Sequence, residues 1–377
     1  MSEHVGSDLA VNECVIVGGG AIGLSIAFEL LCRGRQVTLI DRIEPGKETS
    51  WAGAGILPPA PTQNVLDPID QMRHLTMSLH QGWAEQLRSE TGIDTGYRQC
   101  GGLYFALTSG ERASLIGLQN LYQEQGIECR MLSRSEMAAC EPSTQFSSVT
   151  AALELPGESQ LRNPRHLRAL VACCVQRGMR LIQNEEVLGL YSENDGAWKI
   201  QTSSATRRAE IVCVTAGAWS QQLLSSLGVE ISVFPVRGQI VLYKCKQRPF
   251  QRVLNIGPRY LVPRDDGYVL VGSTEEEVGF DMRTTEEAIA DLRGLAESLV
   301  PDLRFAEVER TWAGLRPASF DSLPYMGEAP ERPGLFVACG HFRSGLYLSP
   351  AVGVVMADLI CGRSPPLDLW PFRLSRG

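Results

Sequence analysis

The apolar positions of the first forty residues follow two different periods. A continuous apolar run at 14–17 is typical of a strand buried on both faces, and Gly18, Gly19 and Gly20 follow it. A helical pattern then runs from about 21 to 33, ends at Gly34, and is followed by a second apolar run at 36–40. The pattern predicts a strand–helix–strand unit with two parallel strands.

The next hundred residues lose this regular alternation. An amphipathic helix is predicted for about 72–90, a short strand for 102–107 and a second helix for about 111–125. Ser133 and Glu136 have the spacing of a capping box, which predicts a further helix start. Because helices and strands no longer alternate as simple βα units, we expect a second domain to begin here.

From about residue 160 the pattern predicts a return to the first sheet. Asn163 is predicted to cap a helix that has Pro164 at its first position and ends near 176. Apolar runs at 179–183 and 210–215 follow, and the second leads into Ala216-Gly217 and another helix. We interpret both runs as further parallel strands.

The stretch from residue 234 changes to long alternating strands. They are predicted at 235–243, 260–264 and 267–272, with an Asp266-Gly267 hairpin turn before the last, and a helix follows at about 285–299. Such alternation is typical of an antiparallel sheet, which we interpret as a substrate-binding sheet. After it, residues 334–350 again read as strand, glycine turn and helix.

Composition narrows the classes of protein. The 377 residues are 44% apolar and carry a formal charge of −8, with no basic run, so a nucleic-acid partner is not expected. Eleven cysteines occur without a CxxC or a paired Cys/His metal spacing, and residues 1–10 show no secretion signal. No apolar stretch approaches the roughly 20 residues of a membrane span. We therefore expect a soluble, cytoplasmic protein with reduced thiols and no metal.

The first glycine turn has the chemistry of a dinucleotide site. Gly18, Gly20 and Gly23 fit G-x-G-x-x-G, in which the glycines permit a tight turn, a close approach of backbone to pyrophosphate and helix–strand packing. The phosphates would lie at the helix N-terminus. Asp41 stands where a ribose-binding carboxylate is expected, which favours FAD or NAD over NADP. The alternative is a structural turn without a ligand.

Two further stretches are candidate parts of this site. Residues 42–57 are rich in small side chains, so Thr49 and Ser50 are candidate pyrophosphate donors and 53–55 could pass beneath a flat ring; a flexible loop is the alternative. Val187 is a candidate backbone contact for adenine, and a core valine is the alternative. The glycine-bracketed helix start near Ser344 and Gly345 could point its dipole at the far end of the ligand.

These motifs together resemble the glycine oxidase family, within the D-amino acid oxidase and sarcosine oxidase superfamily of FAD enzymes. The resemblance covers nearly the whole chain and rests on the N-terminal glycine motif and on four further segments: Ser-Trp-Ala-Gly-Ala-Gly-Ile-Leu (50–57), Tyr-Leu-Val-Pro-Arg (260–264), Trp-Ala-Gly-Leu-Arg-Pro (312–317) and Gly-His-Phe-Arg-Ser-Gly-Leu (340–346).

The resemblance implies an α/β protein, α+β overall, with two discontinuous domains. A Rossmann-like FAD-binding domain would comprise 10–85, 150–230 and 308–377, and an antiparallel-sheet substrate-binding domain would comprise 86–149 and 231–307. The FAD is expected to be non-covalent, because residues 318–321 hold no cysteine where sarcosine oxidases tether the flavin.

The resemblance also implies roles for individual residues. Arg316 would bind the substrate carboxylate, Tyr260 would hydrogen-bond it and Arg343 would help to close the site, whereas His341 would serve the flavin environment rather than act as a base. Glu275 stands where better-known members have an apolar residue, so it either alters substrate charge preference or faces solvent. The implied cofactor-binding residues are Gly18, Gly20, Ala21, Ile22, Gly23, Asp41, Arg42, Thr49, Ser50, Ala54, Gly55, Ile56, Val187, Gly340, His341, Phe342, Arg343, Ser344, Gly345 and Leu346.

The implied reaction is oxidation of glycine, sarcosine or D-alanine to a 2-oxo acid, ammonia and hydrogen peroxide, with oxygen as acceptor and a place in thiamine thiazole synthesis. The alternative within enzymes is a dehydrogenase resembling D-amino acid dehydrogenase or hydrogen cyanide synthase, which uses another acceptor. A nucleotide-binding protein without catalysis is a third hypothesis. The family also implies a homo-oligomer, often a tetramer.

Overall fold

The computed structural model describes residues 13–376. The segment 1–10, for which no secretion signal is predicted, lies outside the described residues, as do the first three residues of the predicted FAD-binding domain.

The described chain alternates many short strands with ten α-helices. The strands are β1 (Glu13–Val17), β2 (Gln36–Ile40), β3 (Ile56–Leu57), β4 (Arg98–Gln99), β5 (Gly102–Ala106), β6 (Arg130–Leu132), β7 (Ala151–Leu155), β8 (Ser159–Gln160), β9 (Arg180–Ile182), β10 (Val187–Ser192), β11 (Trp198–Thr202), β12 (Thr206–Ala209), β13 (Ile211–Val214), β14 (Val233–Lys244), β15 (Val253–Ile256), β16 (Arg259–Pro263), β17 (Tyr268–Gly272), β18 (Glu307–Ser319), β19 (Tyr325–Glu328) and β20 (Leu335–Cys339). The α-helices are α1 (Ala21–Cys32), α2 (Thr49–Ala52), α3 (Pro68–Met77), α4 (Leu79–Thr91), α5 (Ser109–Glu124), α6 (Arg134–Cys140), α7 (Asn163–Gln176), α8 (Ser220–Ser225), α9 (Glu286–Leu299) and α10 (Gly345–Ile360).

A six-stranded sheet in the order β19-β20-β13-β1-β2-β9 forms the first layer, and all its pairs are parallel except β19·β20. The apolar run of β1 is buried on both faces. Cys14 and Ile16 pack with helices α1, α7 and α10, whereas Val15 and Val17 pack towards the small antiparallel sheet β10-β11-β12. Burial on two faces explains why this strand is continuously apolar, as predicted for a parallel sheet.

An eight-stranded sheet, β18-β14-β17-β16-β15-β5-β7-β6, forms the second body of structure. Its pairs are antiparallel except β15·β5. The strands alternate: Val241 and Val271 pack in the cluster that contains α9, whereas Ile240, Tyr260 and Leu270 form a separate cluster with Ala54. One face of this sheet therefore turns towards the segment that follows β2.

The mixed α/β fold is as predicted, and several local predictions are confirmed. Ser133 and Glu136 form the capping box of α6, and the Asp266-Gly267 turn joins β16 to β17. The predicted helix at 72–90 is instead two helices that meet at Ser78, and the first starts earlier because Asp67 caps it and Pro68 occupies its first turn.

Two strands lie in a different sheet from the one that their predicted domain would suggest. β7 (Ala151–Leu155) lies inside a segment that was assigned to the FAD-binding domain, and β18 (Glu307–Ser319) begins one residue before another such segment. Both strands nevertheless belong to the eight-stranded sheet. β18 pairs with β14 from Val233↔Ser319 to Lys244↔Glu307. This long-range pairing, and not the position of β18 in the sequence, determines the sheet to which it belongs. The domain boundaries themselves stay a prediction.

Within residues 13–376, none of the helices is both long and apolar enough to cross a bilayer. The same residues contain no group of three or more His, Cys, Asp or Glu side chains that could hold a metal ion.

Candidate active site

The turn between β1 and α1 is built from glycines because larger residues would not fit. Gly18 has φ +109°, and a Cβ there would lie 2.5 Å from the carbonyl oxygen of Thr215. A Cβ on Gly23 would overlap the Gly18 carbonyl and stand 2.6 Å from Thr215 Oγ1. Gly18, Gly20, Ala21 and Ile22 line one end of a large cavity, whereas Gly23 packs the helix against the strand.

Asp41 lies at the end of β2 beside this turn. Its Oδ2 accepts a hydrogen bond from Gly19 N at 2.6 Å, and its Oδ1 accepts one from Ile43 N at 3.0 Å. Burial raises the pKa of the Asp41 carboxyl, and these backbone donors oppose that shift. A carboxylate has further lone pairs, so Asp41 can still accept from ribose hydroxyls in the cavity that it lines.

The neighbouring Arg42 is fixed by an aromatic ring that sequence reasoning did not identify. Its guanidinium carbon lies 3.7 Å from the centroid of the Trp219 ring, and its Nη2 donates to Glu48 Oε1 at 2.7 Å. Arg42, Trp219 and Val187 all line the cavity near Asp41. A ring about 180 positions away along the chain gives no local signal of this contact.

The small-residue segment 42–57 contains the short helix α2 and the short strand β3, with turns and irregular backbone before and between them. Ser50 Oγ accepts a hydrogen bond from Ala21 N at 2.9 Å, so Ser50 caps the first turn of α1. Thr49 Oγ1 donates to the carbonyl oxygen of Leu315 at 2.5 Å. Thr49 also lines the cavity, and its contact with a pyrophosphate stays a prediction.

Asn163 holds this segment from the other side. It was predicted to cap α7, but it is the first residue of that helix and its Nδ2 donates to Ser50 O at 2.8 Å. Its Oδ1 is buried without a hydrogen-bond partner, and Asn163 lines the cavity. Gly55, with φ +71°, leaves the room that Asn163 needs, because a Cβ there would overlap Oδ1. This acceptor is available to an N–H or O–H of a ligand.

The C-terminal glycine turn lines a different part of the cavity. It joins β20 to α10, with Gly340 at φ +80° and Phe342 at φ +44°. His341 is buried, its Nε2 has no partner, and burial lowers its pKa to about 3, so the ring is neutral at pH 7. His341, Arg343 and Gly345 line the cavity, together with Phe342, Ser344 and Leu346, whereas Gly340 shapes the turn behind it.

Arg316 projects from β18 into the same cavity and is held in one orientation. Its Nη1 donates to Thr274 O at 3.1 Å and its Nη2 donates to Ser273 Oγ at 2.6 Å. Burial lowers the pKa of Arg316, while neighbouring Tyr260 raises it. Because a guanidinium carries five N–H donors, two bonds to the protein leave donors for a carboxylate.

Arg343 lies at a more exposed edge of the site. Its Nη1 donates to Glu275 Oε1 at 2.6 Å, and the two side chains are 40% and 37% exposed. The Glu275 carboxylate is partly solvent-exposed and also faces an arginine that lines the cavity, so both hypotheses for Glu275 stay predictions. Its charge offsets that of Arg343 at the mouth.

The whole cavity has a volume of about 770 Å³, within the range typical of ligand sites. All the predicted site residues except Gly23 and Gly340 line it. Its lining includes two helix starts, the ribose acceptor, a neutral histidine and an arginine clamp. A long dinucleotide fits this donor set, and the unpaired Asn163 Oδ1 and His341 Nε2 offer it further hydrogen bonds.

The fold and the site define a class: a dinucleotide-dependent oxidoreductase that binds its substrate against an antiparallel sheet. Residues 13–359 match the family described as FAD dependent oxidoreductase, and the chain belongs to that family with FAD as its cofactor. A glycine oxidase of Pseudomonas aeruginosa is 36% identical over 359 residues, 95% of this chain and 97% of that protein. The family resemblance seen in the motifs is thereby confirmed.

Two further likenesses cover almost the whole chain. The crystal structure of glycine oxidase from Geobacillus kaustophilus superposes with a TM-score of 0.93 at 33% identity, covering 97% of this chain and 100% of that one. A hydrogen cyanide synthase subunit of Pseudomonas aeruginosa is 30% identical over 404 residues, 97% of this chain and 96% of that protein. Both relatives therefore match this chain over nearly its full length.

Proposed function

We propose that this chain is an amino acid oxidase that acts on glycine or a similarly small amine, such as sarcosine or D-alanine. The observation that carries the proposal is the arrangement of Arg316 and Tyr260. Both line the cavity, and Arg316 is oriented by Ser273 and Thr274 so that it can bind a substrate carboxylate through two parallel bonds.

The protein's part in such a reaction is to bind and orient the substrate. FAD, when bound, supplies the hydride acceptor. Arg316 and Tyr260 hold the carboxylate, which fixes the Cα–H bond in one direction. Loss of two electrons converts the amine to an imine, whose hydrolysis gives a 2-oxo acid and ammonia. With oxygen as the final acceptor, the second product is hydrogen peroxide.

The residues proposed to hold FAD are those of the cavity near the two helix starts. Gly18, Gly20, Ala21 and Ser50 border the first helix start, Asp41 faces the ribose, and His341 to Leu346 border the second. Each group offers a backbone N–H, a carboxylate or a neutral ring nitrogen. These are the partners that a dinucleotide requires when its adenosine ribose carries no 2′-phosphate.

The experiment is an amine panel read by anaerobic bleaching of the flavin absorption band. Glycine, sarcosine and D-alanine should bleach it, and an Arg316→Ala variant should retain FAD but lose affinity for these substrates by about 2 to 5 kcal/mol. A wild-type protein that none of the three bleaches would rule out the proposal. Unchanged kinetics in Arg316→Ala would refute the carboxylate role alone.

A second candidate is a dehydrogenase that passes electrons to an acceptor other than oxygen. It is favoured by the 30% identity to the hydrogen cyanide synthase subunit. Reoxidation of the reduced enzyme by air separates the two: an oxidase regains its flavin band and forms peroxide, whereas a dehydrogenase does so slowly and needs an added acceptor.

The cellular setting is also proposed. The cysteines are all free thiols, which suits a reducing compartment, so we place the protein in the cytoplasm. By its family resemblance it would supply glycine imine for thiamine thiazole synthesis and would assemble as a homo-oligomer, a tetramer by that resemblance. Light scattering after size-exclusion chromatography tests the assembly.

A further inference from the structure

A buried arginine behind the wall of the cavity has no role in the function proposed above. Arg264, the residue after β16, is only 6% exposed. Its Nη2 donates to Ala54 O at 2.6 Å, and its Nη1 donates to Gln160 Oε1 at 2.7 Å and to Leu161 O at 2.9 Å. All three acceptors are neutral. Within residues 13–376, no carboxylate forms an ion pair with Arg264.

The charges around Arg264 are mostly positive. Burial, together with Arg162 and Arg98, lowers the pKa of Arg264 to about 9, so the side chain is still charged at pH 7. Asp266 opposes this shift, but its carboxylate already pairs with Arg162 and Arg165. A buried cation without a counter-ion is costly. A negative charge that enters the cavity near Arg264 would therefore be stabilised by it.

One backbone segment separates this charge from the cavity. Arg264 itself does not line the cavity, but residues 53–56 do, and among them Ala54 receives the Arg264 Nη2 bond. The same segment is held by a second bond, from Leu161 N to Gly55 O at 2.8 Å. The guanidinium thus lies directly behind the stretch of small residues that the sequence places beneath a flat ring.

The proposed substrate site lies next to this segment. Tyr260, which with Arg316 is proposed to hold the substrate carboxylate, packs in the same apolar cluster as Ala54. Hydride transfer requires that the accepting atom lies about 3 to 3.5 Å from the reacting substrate carbon. In the function proposed above, the redox ring of FAD therefore lies within a substrate's length of Tyr260 and beside residues 53–56.

The arginines that line the cavity do not supply the same uncompensated charge. Each of them has an anionic partner in the protein or in the proposed substrate complex: Arg42 pairs with Glu48, Arg73 with Asp70, Arg343 with Glu275, and Arg316 with the substrate carboxylate. Arg264 differs from all four because it has only neutral acceptors.

We propose, resting on the function above, that Arg264 is a positioning residue that makes the bound flavin easier to reduce. It fixes the Ala54 carbonyl towards itself and so holds the segment beside the ring. Acceptance of a hydride adds one negative charge to the cofactor, and the positive charge of Arg264 stabilises that charge. The interaction acts over several ångströms because the effective dielectric constant of a protein interior is only about 20.

The test measures the midpoint potential of the FAD-loaded protein, without substrate, by anaerobic reduction against a reference dye. Gln160→Glu keeps the acceptor of the Arg264 Nη1 bond and gives the guanidinium a carboxylate partner, so it offsets the charge without removing the arginine. We expect the equilibrium constant for two-electron reduction to fall by about ten-fold, which is about 30 mV. Gln99→Glu, the same change at an exposed position of the neighbouring strand β4, is the matched control and should keep the wild-type potential.

A second pair of variants separates the charge of Arg264 from its hydrogen bonds. Arg264→Lys keeps the charge but not the planar set of donors, and it should stay within about three-fold of the wild-type equilibrium constant. Arg264→Met removes the charge and should lower that constant by about ten-fold or more. Equal shifts in the two variants would show that hydrogen bonding alone matters and would overturn the proposal. If Arg264→Met does not retain FAD, the result for Gln160→Glu decides.

Three further outcomes have a defined meaning. An unchanged potential in Gln160→Glu, or an equal shift in Gln99→Glu, would overturn the role of Arg264. Weaker binding of oxidised FAD to Gln160→Glu at an unchanged potential would also overturn it, because the charge would then act on the pyrophosphate. A wild-type flavin that no amine reduces would overturn the proposed function instead, since the potentials are measured without an amine.

Discussion

The Arg316 guanidinium lies directly over Gly238, so that a Cβ atom on residue 238 would overlap it. The two residues are one strand apart, on β18 and β14, in the pairs Val236↔Arg316 and Gly238↔Gly314. The absence of a side chain at 238 therefore sets where the substrate clamp can lie.

Gly238→Ala should displace this clamp without emptying the cofactor site. The guanidinium would have to leave its bonds to Ser273 and Thr274, and a displacement of about 1 Å is enough to cost on the order of 100-fold in kcat/KM. Steady-state kinetics with glycine, together with the flavin content of the purified variant, measures both effects. Gly294→Ala on α9, where a Cβ meets nothing within 4 Å, is the control. Equal kinetics in the two variants would contradict the role of Gly238.

Asp41→Asn should weaken FAD binding. The carboxylate accepts from Gly19 N and Ile43 N, and hydrogen bonds to a charged acceptor are about twice as strong as those to a neutral one. We expect the FAD dissociation constant, measured by quenching of flavin fluorescence, to rise by about ten-fold or more, which is roughly 1.5 to 3 kcal/mol.

The control for this measurement is Asp291→Asn. Asp291 makes an exposed ion pair with Arg259, and such pairs contribute about 0 to 1 kcal/mol. FAD affinity should stay at the wild-type value there. The same affinity in Asp41→Asn would show that the carboxylate does not contact the ribose.

Part of this site was predictable from the sequence because its signals are local. The spacing of Gly18, Gly20 and Gly23 encodes a turn, and Asp41 follows at the end of the next strand. Ser133 and Glu136 cap their own helix for the same reason. Hydrogen bonds and turns formed by residues close in sequence require particular residue types at fixed spacings, and these spacings can be recognised in the sequence.

The remaining contacts join residues that are far apart in sequence. Asn163 reads as a helix cap, yet its amide bonds to Ser50 O, 113 positions away. Glu158 carries no sequence prediction, and β5 and β15 bring Tyr104 and Asn255 against it. Gly102 leaves the room that the Glu158 side chain occupies, and it too is far from Glu158 in sequence.

Glu275→Gln should make the site bind a carboxylate substrate slightly better. Glu275 pairs with Arg343 and repels an anion that approaches Arg316. Loss of its charge removes this repulsion and leaves Arg343 without its ion-pair partner, so that both arginines attract the substrate carboxylate more strongly. Because both side chains are more than a third exposed, solvent screening limits the effect to about 1 kcal/mol, a fall in KM of about five-fold at most. The measurement is the KM for glycine at low and at high salt.

Salt should shrink this difference, since the Debye length falls to about 3 Å at 1 M. Glu277→Gln makes the same charge change two residues further on, at an exposed position, and serves as the control. A KM that rises in Glu275→Gln, or that changes equally in both variants, would show that Glu275 does not act on the substrate's charge.

His80 and His166 are buried in neutral form between α4, α7 and α10 and should lower the stability as the pH drops from about 7 to 5. Buried His341 acts in the same direction, and buried Glu158, whose carboxyl pKa is raised to about 7, acts in the opposite one. His80 Nε2 bonds to Tyr347 O at 2.7 Å, and the His80 and His166 ring centroids are 6.5 Å apart. Burial lowers the pKa of His80 to about 4 and that of His166 to about 3.

A histidine in the unfolded chain has a pKa near 6.5. Below that pH, the unfolded chain therefore binds protons that the folded chain does not bind. The stabilisation is therefore complete above about pH 6.5 and is lost as the pH falls towards the folded-state pKa values. At pH 5 each of these histidines should reduce the free energy of unfolding by about 2 kcal/mol. Urea unfolding at pH 7.5 and pH 5, with FAD in constant excess, measures the loss. The loss of stability between pH 7.5 and pH 5 should be smaller in His166→Gln, by about half of the combined contribution of the two histidines. If His166→Gln loses as much stability as wild type, His166 is protonated in the folded protein.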